Sequence, residues 1–112
     1  MTLHTAVETI SVNPPDEELV ALAASLSPGR LRSAAGRIAL RRAVLSLVER
    51  LDCGPLPPEA VHVTNAEDGH PVVFVDEAAF PRAAALCRKM RVSISHSRRT
   101  ALGAVAMEEA LL

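Results

Sequence analysis

The longest helical pattern of hydrophobic residues in the chain runs from Leu31 to Leu51. On a helical wheel its aliphatic side chains cover a continuous arc of about 200°, and small or polar side chains fill the remainder. A helix on the surface of a protein shows a narrower apolar stripe. We therefore predict that this helix is covered on most sides and that the other elements pack against it.

The segments on either side carry strand or helix patterns separated by turn residues. A helical period with acidic residues in its first turn predicts a short helix over 16–26, which Ser27-Pro28-Gly29 ends. Another helix is predicted within 76–90, most regular over 83–90 because Pro81 limits where it begins. Alternating β-branched and apolar residues predict strands over residues 3–12, 60–64, 71–75, 91–95 and 101–107.

This order, β-α-α-β-β-α-β-β, predicts a single α+β domain over residues 1–112, with the long central helix packed on a mostly antiparallel sheet. The composition fits one small core. Hydrophobic residues make up 49% of the chain, but there is no Trp or Tyr and there are only two Phe. We therefore expect a core of Ala, Leu and Val side chains.

Charge, hydropathy and cysteine spacing exclude several classes of function. The formal net charge is −1 and no aromatic residues accompany the helix arginines, so we predict no nucleic-acid partner. No apolar run reaches about 18 residues, so we predict no membrane span. Cys53 and Cys87 lack metal-binding or redox spacing, and no signal-peptide pattern opens the chain. These features predict a cytoplasmic protein.

Three stretches, read in order, resemble the motifs of one family. Residues 37–44, RIALRRAV, are similar to a helix motif R-F-A-x-K-E-A. The segment 61–65 followed by Gly69-His70-Pro71 is similar to a hairpin that carries a G-K/R-P tripeptide. Residues 92–97, VSISHS, are similar to S-x-S-H-S/T. The family is the holo-acyl-carrier-protein synthase type of 4′-phosphopantetheinyl transferase, and the resemblance spans residues 31–108.

The resemblance implies a fold, a reaction and partners. Such enzymes transfer the phosphopantetheine arm of coenzyme A to a Ser hydroxyl of an acyl carrier protein, in fatty-acid or polyketide biosynthesis. A Mg²⁺ ion bridges the pyrophosphate, held by an acidic residue of the first strand and by the Glu of K-E-A. Small synthases of this length are trimers with active sites between subunits. We therefore expect an acyl-carrier-protein partner and a homotrimer, to which the apolar tail Ala110-Leu111-Leu112 would contribute buried surface.

The chain departs from this pattern at the metal. Arg42 stands where the resemblance places the metal-holding Glu, Ser46 stands where it places a Lys, and Glu8 is the nearest carboxylate of the first strand. A guanidinium at about 4 Å from a divalent ion is repelled by roughly 2 kcal/mol even at the dielectric of water. We therefore predict no metal ligands here and impaired Mg²⁺-dependent transfer.

The candidate catalytic residues are Glu8, Arg42 and His96. Arg42 has three interpretations: it pairs with Glu8 or another carboxylate, it grips phosphate oxygens in place of the metal, or it points to solvent. His96 either acts as a general acid or base beside the coenzyme A site, or caps the loop that follows it.

The candidate residues for binding coenzyme A or its phosphopantetheine arm lie in the second and third motifs: His70, Ser95, His96, Ser97 and Arg98. The first hypothesis is thus a divergent transferase acting on coenzyme A and an acyl carrier protein. The alternative is a repurposed or non-catalytic relative that binds a carrier-tethered pantetheine substrate, with His96 and Glu8 as acid and base of different chemistry. A mixed assembly with an active synthase subunit, which would supply the missing ligands, stays open.

Overall fold

Helices and strands follow the predicted order in a computed structural model that describes residues 2–23 and 25–109. The elements are β1 (Thr2–Ser11), α1 (Glu17–Ala23), α2 (Pro28–Arg50), β2 (Val61–Asn65), β3 (Pro71–Val75), α3 (Pro81–Lys89), β4 (Arg91–His96) and β5 (Thr100–Glu109). A single 3₁₀ turn at Pro58–Ala60 precedes β2. The tail Ala110-Leu111-Leu112, predicted to bury surface in an assembly, lies outside the described residues.

Helix α2 begins earlier than the hydrophobic pattern predicts, because polar residues ahead of that pattern start it. The Ser27 hydroxyl accepts the backbone N–H of Arg30 at 3.4 Å as an N-cap. Pro28 occupies the first turn, where a missing N–H costs no hydrogen bond. The helix ends at Arg50 with Leu51 as its C-cap, and Asp52 follows with a left-handed φ of 58°. The Ser-Pro pair is thus a helix start as well as the end of the preceding segment.

The strands form two antiparallel sheets around α2, where the patterning predicts one. β5 lies between β1 and β4, and its register pairs Gly103 with Glu8 and Ala101 with His96. β2 and β3 form a separate hairpin. The predicted α+β class and antiparallel pairing are confirmed, and the division into two sheets is the difference.

Helix α2 lies directly against β5 at Gly103. A Cβ placed on Gly103 would be 2.3 Å from the backbone nitrogen of Leu40 and 2.4 Å from its Cα. Real Cβ atoms do not approach backbone atoms this closely, so only glycine permits the contact. The distance between α2 and the sheet, and with it the position of every side chain on α2, depends on this residue.

The core surrounds α2 in two clusters, as its wide apolar arc predicts. In the C-terminal half of the helix, Leu40, Val44, Leu47 and Val48 are at most 1% exposed and pack with residues of β2, β3, α3 and β5. In the N-terminal half, the fully buried Leu19 of α1 joins a second cluster. The core is therefore built of Leu, Val, Ile and Ala, in agreement with the composition.

Helix α1 is shorter than predicted, and α3 begins at Pro81, inside the predicted range 76–90. The residues before Pro81 form a turn, in which the Asp76 carboxylate accepts the Ala78 N–H at 3.0 Å and so competes with helix formation. Helix α1 ends at Ala23, and the Ser25 N–H then bonds the Leu22 carbonyl at 3.1 Å in a turn. Among the described residues, no helix is long and apolar enough to cross a membrane.

Candidate functional site

Two arginines on α2 meet two carboxylates at the start of α1. The Arg42 guanidinium makes a bidentate contact with Asp16, in which Nη1 donates to Oδ2 at 3.2 Å and Nη2 donates to Oδ1 at 2.9 Å. The same Nη2 donates to Glu18 Oε1 at 3.1 Å. The other oxygen of Glu18 accepts a hydrogen bond from Arg41 Nη2. We call Asp16, Glu18, Arg41 and Arg42 the charge cluster.

The charge cluster is half-buried and electrically balanced. The side chains of Asp16 and Arg42 are 26% and 33% exposed, so water screens their attraction only in part. The hydrogen bond from Arg42, supported by one from the Glu18 backbone N–H, lowers the pKa of Asp16. The hydrogen bond to Asp16 in turn raises the pKa of Arg42. Asp16 and Arg42 therefore stabilise each other's charged form, and Glu18 and Arg41 extend the hydrogen-bonded network.

Asp16 also begins α1, because its Oδ1 accepts the Glu18 N–H at 3.0 Å and satisfies a free donor of the first turn. Pattern analysis places Asp16 and Glu18 at a helix start but assigns them no partner in the site. The complementary runs Asp16-Glu17-Glu18 and Arg41-Arg42 were the available signal. What the sequence lacks is the packing of α1 on α2 that brings the runs together.

Glu8 lies on the face of β1 that packs toward α2, between the buried residues Ala6 and Ile10. Within residues 2–23 and 25–109, no hydrogen bond or ion pair joins Glu8 to Arg42. Nor do those residues contain a group of three or more His, Cys, Asp or Glu side chains that could hold a metal ion. Ser46 is half-buried one turn beyond Arg42.

A cavity of about 230 Å³ opens where the three motif stretches meet. It is lined from α2 by Ser33 and Arg37, and from β4 by Ile94 and His96. The hairpin completes the lining with Asn65, Gly69 and Pro71. We call this the Arg37–His96 cavity. Residues from all three motif stretches, which lie far apart in the chain, thus share one concave surface.

His96 is the last residue of β4, and its imidazole rests against α2 at Gly36. The prediction that His96 faces a ligand and the alternative that it caps the following loop differ in where the ring lies. No hydrogen bond joins the ring to the loop in the part of the chain that the structure describes. The ring instead forms one wall of the Arg37–His96 cavity.

The other predicted binding residues of the third motif lie outside this cavity. Ser95 projects to the opposite face of β4 from His96, because side chains alternate along a strand. The Ser97 hydroxyl accepts the N–H groups of Arg99 at 3.2 Å and Thr100 at 3.1 Å, which orders the turn into β5. Arg98 is exposed in that turn.

His70 belongs to the hairpin turn and faces a neighbouring cavity. Its N–H donates to Asp68 Oδ1 at 3.2 Å, and its Nδ1 also contacts that oxygen. These bonds, the backbone one first, lower the pKa of Asp68. His70 lines an open cavity of about 570 Å³ between β3, α3 and β4, together with Arg88 and Arg91. The structure thus separates His70 from the cavity that its two flanking residues line.

Sequence reasoning did not propose Ser33, Arg37 or Asn65 as site residues. Arg37 opens the first motif, and Asn65 closes β2 immediately before the hairpin turn, so both stood within the quoted motifs. The missing information was orientation. One helix face and one strand end must be placed in space before their side chains can be assigned to one cavity.

Comparison with known proteins identifies the fold. No family model matches the chain, and no curated protein matches it. Solved structures do. A holo-(acyl-carrier-protein) synthase from Bacillus anthracis str. Ames, in complex with CoA (3′,5′-ADP), is 21% identical over 95% of this chain and 96% of that chain, with a TM-score of 0.61.

Two further structures agree. The Helicobacter pylori holo-[acyl-carrier-protein] synthase in complex with coenzyme A is 14% identical over 94% of this chain and 100% of that chain, with a TM-score of 0.63. The Chronobacterium ammoniagenes synthase–CoA complex is 14% identical over 99% and 100%, with a TM-score of 0.69. The chain therefore has the fold of holo-acyl-carrier-protein synthases, which confirms the resemblance predicted from the three motifs.

Proposed function

We propose that this chain, which has the holo-acyl-carrier-protein synthase fold, is a divergent phosphopantetheinyl transferase-family protein. It acts on coenzyme A and an acyl carrier protein in fatty-acid or polyketide biosynthesis, with impaired Mg²⁺-dependent transfer. The observation that carries the proposal is the Arg37–His96 cavity, which draws lining residues from all three motif stretches. The solved synthases with this fold include complexes with coenzyme A.

The chemistry of the cavity suits a phosphorylated ligand. The Arg37 guanidinium can donate two parallel hydrogen bonds to phosphate oxygens, and the His96 imidazole and the Asn65 amide offer further donors. Neither Arg37 nor His96 makes an ion pair or side-chain hydrogen bond with any described residue. Their donors are therefore available to a ligand, and no internal partner has to be displaced.

The metal that the fold family implies does not fit the residues present. Mg²⁺ takes oxygen ligands, and it is anchored by carboxylates that carry uncompensated negative charge. Asp16 and Glu18 are instead neutralised by Arg42 and Arg41. We therefore propose that transfer by the usual magnesium mechanism is impaired.

The contacts of Arg42 favour one of its three interpretations. Arg42 pairs with carboxylates, and these are Asp16 and Glu18 rather than Glu8. To grip a phosphate, the guanidinium would have to release its two-pronged contact with Asp16. The pairing is therefore the arrangement that we propose for the free protein.

A second candidate function follows from a contrast between two regions: Arg42, at the position expected for a metal ligand, is paired with carboxylates, whereas the Arg37–His96 cavity is open. In this alternative the chain binds coenzyme A, or a carrier protein bearing pantetheine, without transferring the arm. Any different chemistry by Glu8 and His96 would require a substrate that reaches both, because no contact joins them within the described residues. In the alternative, the protein therefore binds the same ligand but does not catalyse the transferase reaction.

One pair of measurements separates the two functions. Calorimetry with coenzyme A in EDTA tests binding without metal, and mass spectrometry of an acyl carrier protein incubated with coenzyme A, Mg²⁺ and this protein tests transfer. Binding together with slow transfer supports the divergent transferase, and binding without any added phosphopantetheine mass supports the alternative. Absence of both coenzyme A and carrier-protein binding contradicts the proposed function in either form.

We propose a homotrimer for the assembly, supported by one exposed sheet face. Leu3 and Val7 of β1 are 63% and 57% exposed, and Val7 is paired with Ala104 on the same face. Apolar exposure on adjoining strands is typical of an interface. Val7→Asp is expected to lower the mass measured by light scattering, whereas Val20→Asp, at an equally exposed valine of α1, is expected to leave it unchanged.

A further inference from the structure

We infer that Gly36 is a positioning residue that acts through His96, by providing a notch in α2 that receives the imidazole ring. The inference rests on the proposed function for its consequence, because the ring so placed forms a wall of the proposed coenzyme A cavity. It goes beyond that function in assigning a role to a residue that cannot contact a ligand through a side chain of its own.

The notch is filled by two side chains of β4. A Cβ built on Gly36 would lie 2.6 Å from His96 Nε2, 3.4 Å from His96 Cε1 and 2.5 Å from Ile94 Cγ2. The first and last of these distances are shorter than any contact a real Cβ makes, so alanine at this position would have to move both side chains. Gly29, in the first turn of the same helix, has no atom within 4 Å of the corresponding position.

A glycine in the middle of α2 is costly for the helix, because glycine is among the poorest helix formers. The neighbouring positions carry Ala34, Ala35 and Ala39, all buried, which shows that alanine suffices where the helix only needs a small residue. At Gly36 even the alanine methyl has no room. The absence of a side chain there is explained by what occupies the space.

The backbone of His96 is held independently of the notch. His96 pairs with Ala101 at the end of β4, and the hydroxyl of Ser97 then accepts two backbone N–H groups of the following turn. With the backbone fixed at both sides, the ring retains only its rotamer freedom. The notch therefore selects the rotamer that lays the imidazole across α2.

That rotamer places the imidazole in the same cavity as Arg37, the residue that follows Gly36 in α2. The notch and the guanidinium thus occupy consecutive positions of one helix, and the ring lies beside both. Filling the notch would turn the ring away from α2 and change the wall opposite the hairpin. We expect this change to weaken ligand binding without removing any ligand-contacting group from the sequence.

The test compares Gly36→Ala with Gly29→Ala, the same substitution where the space is open. Calorimetry with coenzyme A is expected to show binding weaker by about tenfold in Gly36→Ala, because one donor is misplaced, and unchanged in Gly29→Ala. A double-mutant cycle with His96→Ala separates positioning from general packing. If Gly36 acts through His96, then Gly36→Ala causes no further loss in the His96→Ala background.

Nuclear magnetic resonance of the ring protons reports on the notch without any ligand. The wild-type protein is expected to show cross-relaxation between the His96 ring and the Gly36 α-protons, and the His96 ring shifts are expected to change in Gly36→Ala but not in Gly29→Ala. Ring signals are assigned by comparison with His96→Ala. This readout also holds if Gly36→Ala proves too unstable for calorimetry, because the wild-type contact needs no variant.

The outcomes distinguish this inference from the proposed function. A wild-type protein that does not bind coenzyme A but shows the ring contact contradicts the proposed function and supports the placement of His96 by Gly36. Coenzyme A binding that is equal in Gly36→Ala and wild type, additive losses in the cycle, or no ring contact in the wild type would overturn the inference. Recovery of binding in Gly36→Ala/Ile94→Ala would overturn it as well, because Ile94 would then carry the effect.

Discussion

The charge cluster and the Arg37–His96 cavity lie on one helix and differ in how their polar groups are satisfied. In the charge cluster, both terminal nitrogens of Arg42 donate hydrogen bonds, to Asp16 and to Glu18. In the cavity, Arg37 and His96 make no side-chain hydrogen bond or ion pair with the described residues. Groups paired within the protein stabilise the fold, whereas groups without internal partners can bind a ligand by exchanging only their hydrogen bonds to water.

The comparison shows that two regions built on one scaffold can differ in whether their charged groups are paired within the protein. Both regions depend on the same placement of α2 against the sheet, yet the carboxylates of the charge cluster are paired with arginines and the cavity is open. A fold match at 14–21% identity establishes the scaffold only. What each region can bind therefore depends on its own side chains.

The largest effect is expected from a substitution that disturbs the contact between α2 and β5, on which both regions depend. Gly103→Ala would place a methyl group 2.3 Å from the Leu40 backbone nitrogen, so α2 must move away from β5. We expect a loss of about 3 kcal/mol in the free energy of unfolding, since backbone cannot yield as a side chain can. Urea unfolding measures it, with Gly29→Ala as the open-space control. Equal stability of the two variants would contradict the close contact.

A second substitution removes the cavity's principal donor and leaves the charge cluster intact. Arg37→Ala is expected to weaken coenzyme A binding by about 10- to 100-fold, the range for losing a charge-assisted hydrogen bond. Arg32→Ala removes an exposed arginine of the same helix that lines neither region and is expected to change affinity little. Comparable losses in the two variants would mean that α2 attracts the ligand only through its overall charge.

The corresponding substitution in the charge cluster, Arg42→Ala, should lower stability and leave ligand binding unchanged. It leaves the half-buried Asp16 without its guanidinium, and we expect a loss of about 1 kcal/mol in the free energy of unfolding at neutral pH. Coenzyme A affinity, measured on the same sample by calorimetry, is expected to stay within about twofold of wild type. A large loss of affinity with unchanged stability would indicate that Arg42 grips phosphate.

The same pair predicts the direction of a pH effect. The pKa of Asp16 is lowered in the folded protein, so its pairing stabilises the fold above the unfolded-state pKa of about 3.9. This contribution is lost as the pH falls from there through the lowered folded-state pKa. The difference in unfolding free energy between wild type and Arg42→Ala should therefore shrink toward zero in acid. A difference that is constant with pH would assign the effect of Arg42 to packing.

The smallest expected effect concerns the metal. Coenzyme A affinity is expected to change by less than about twofold between Mg²⁺ and EDTA, because Asp16 and Glu18 are already neutralised. Arg42→Glu serves as the matched variant, since it removes a cation and adds a carboxylate beside these two. It is expected to become more sensitive to Mg²⁺ than wild type. A wild-type protein whose binding requires Mg²⁺ would show that the charge cluster opens.

Local signals in the sequence account for most of the fold. Strand β3 occupies the predicted range, 71–75, because β-branched residues between turn signals leave little choice of structure. The Ser27-Pro28 start of α2 is equally local, although pattern analysis treats it only as a break. The division of the strands into two sheets is not local, because pairing joins strands that are distant in the chain.

The site was predictable to a smaller extent. The sequence alone identifies Arg42 as a cation where the resemblance expects a carboxylate, and it places His96 at the end of a strand. It leaves the partner of Arg42 open between Glu8 and another carboxylate, and the contacts identify Asp16 and Glu18. Choosing among carboxylates requires knowing how α1 packs on α2.

By itself, the sequence determined the order of the elements, the α+β class, the Ala-Leu-Val core and the presence of Arg42 where the resemblance expects a carboxylate. These features depend on residue type and on spacing over a few positions. Only the tertiary structure decided that Arg42 pairs with Asp16 and Glu18, that Arg37 has no such partner among the described residues, and that Gly36 receives the ring of His96. Each depends on contacts between residues far apart in the chain, which local patterns do not encode.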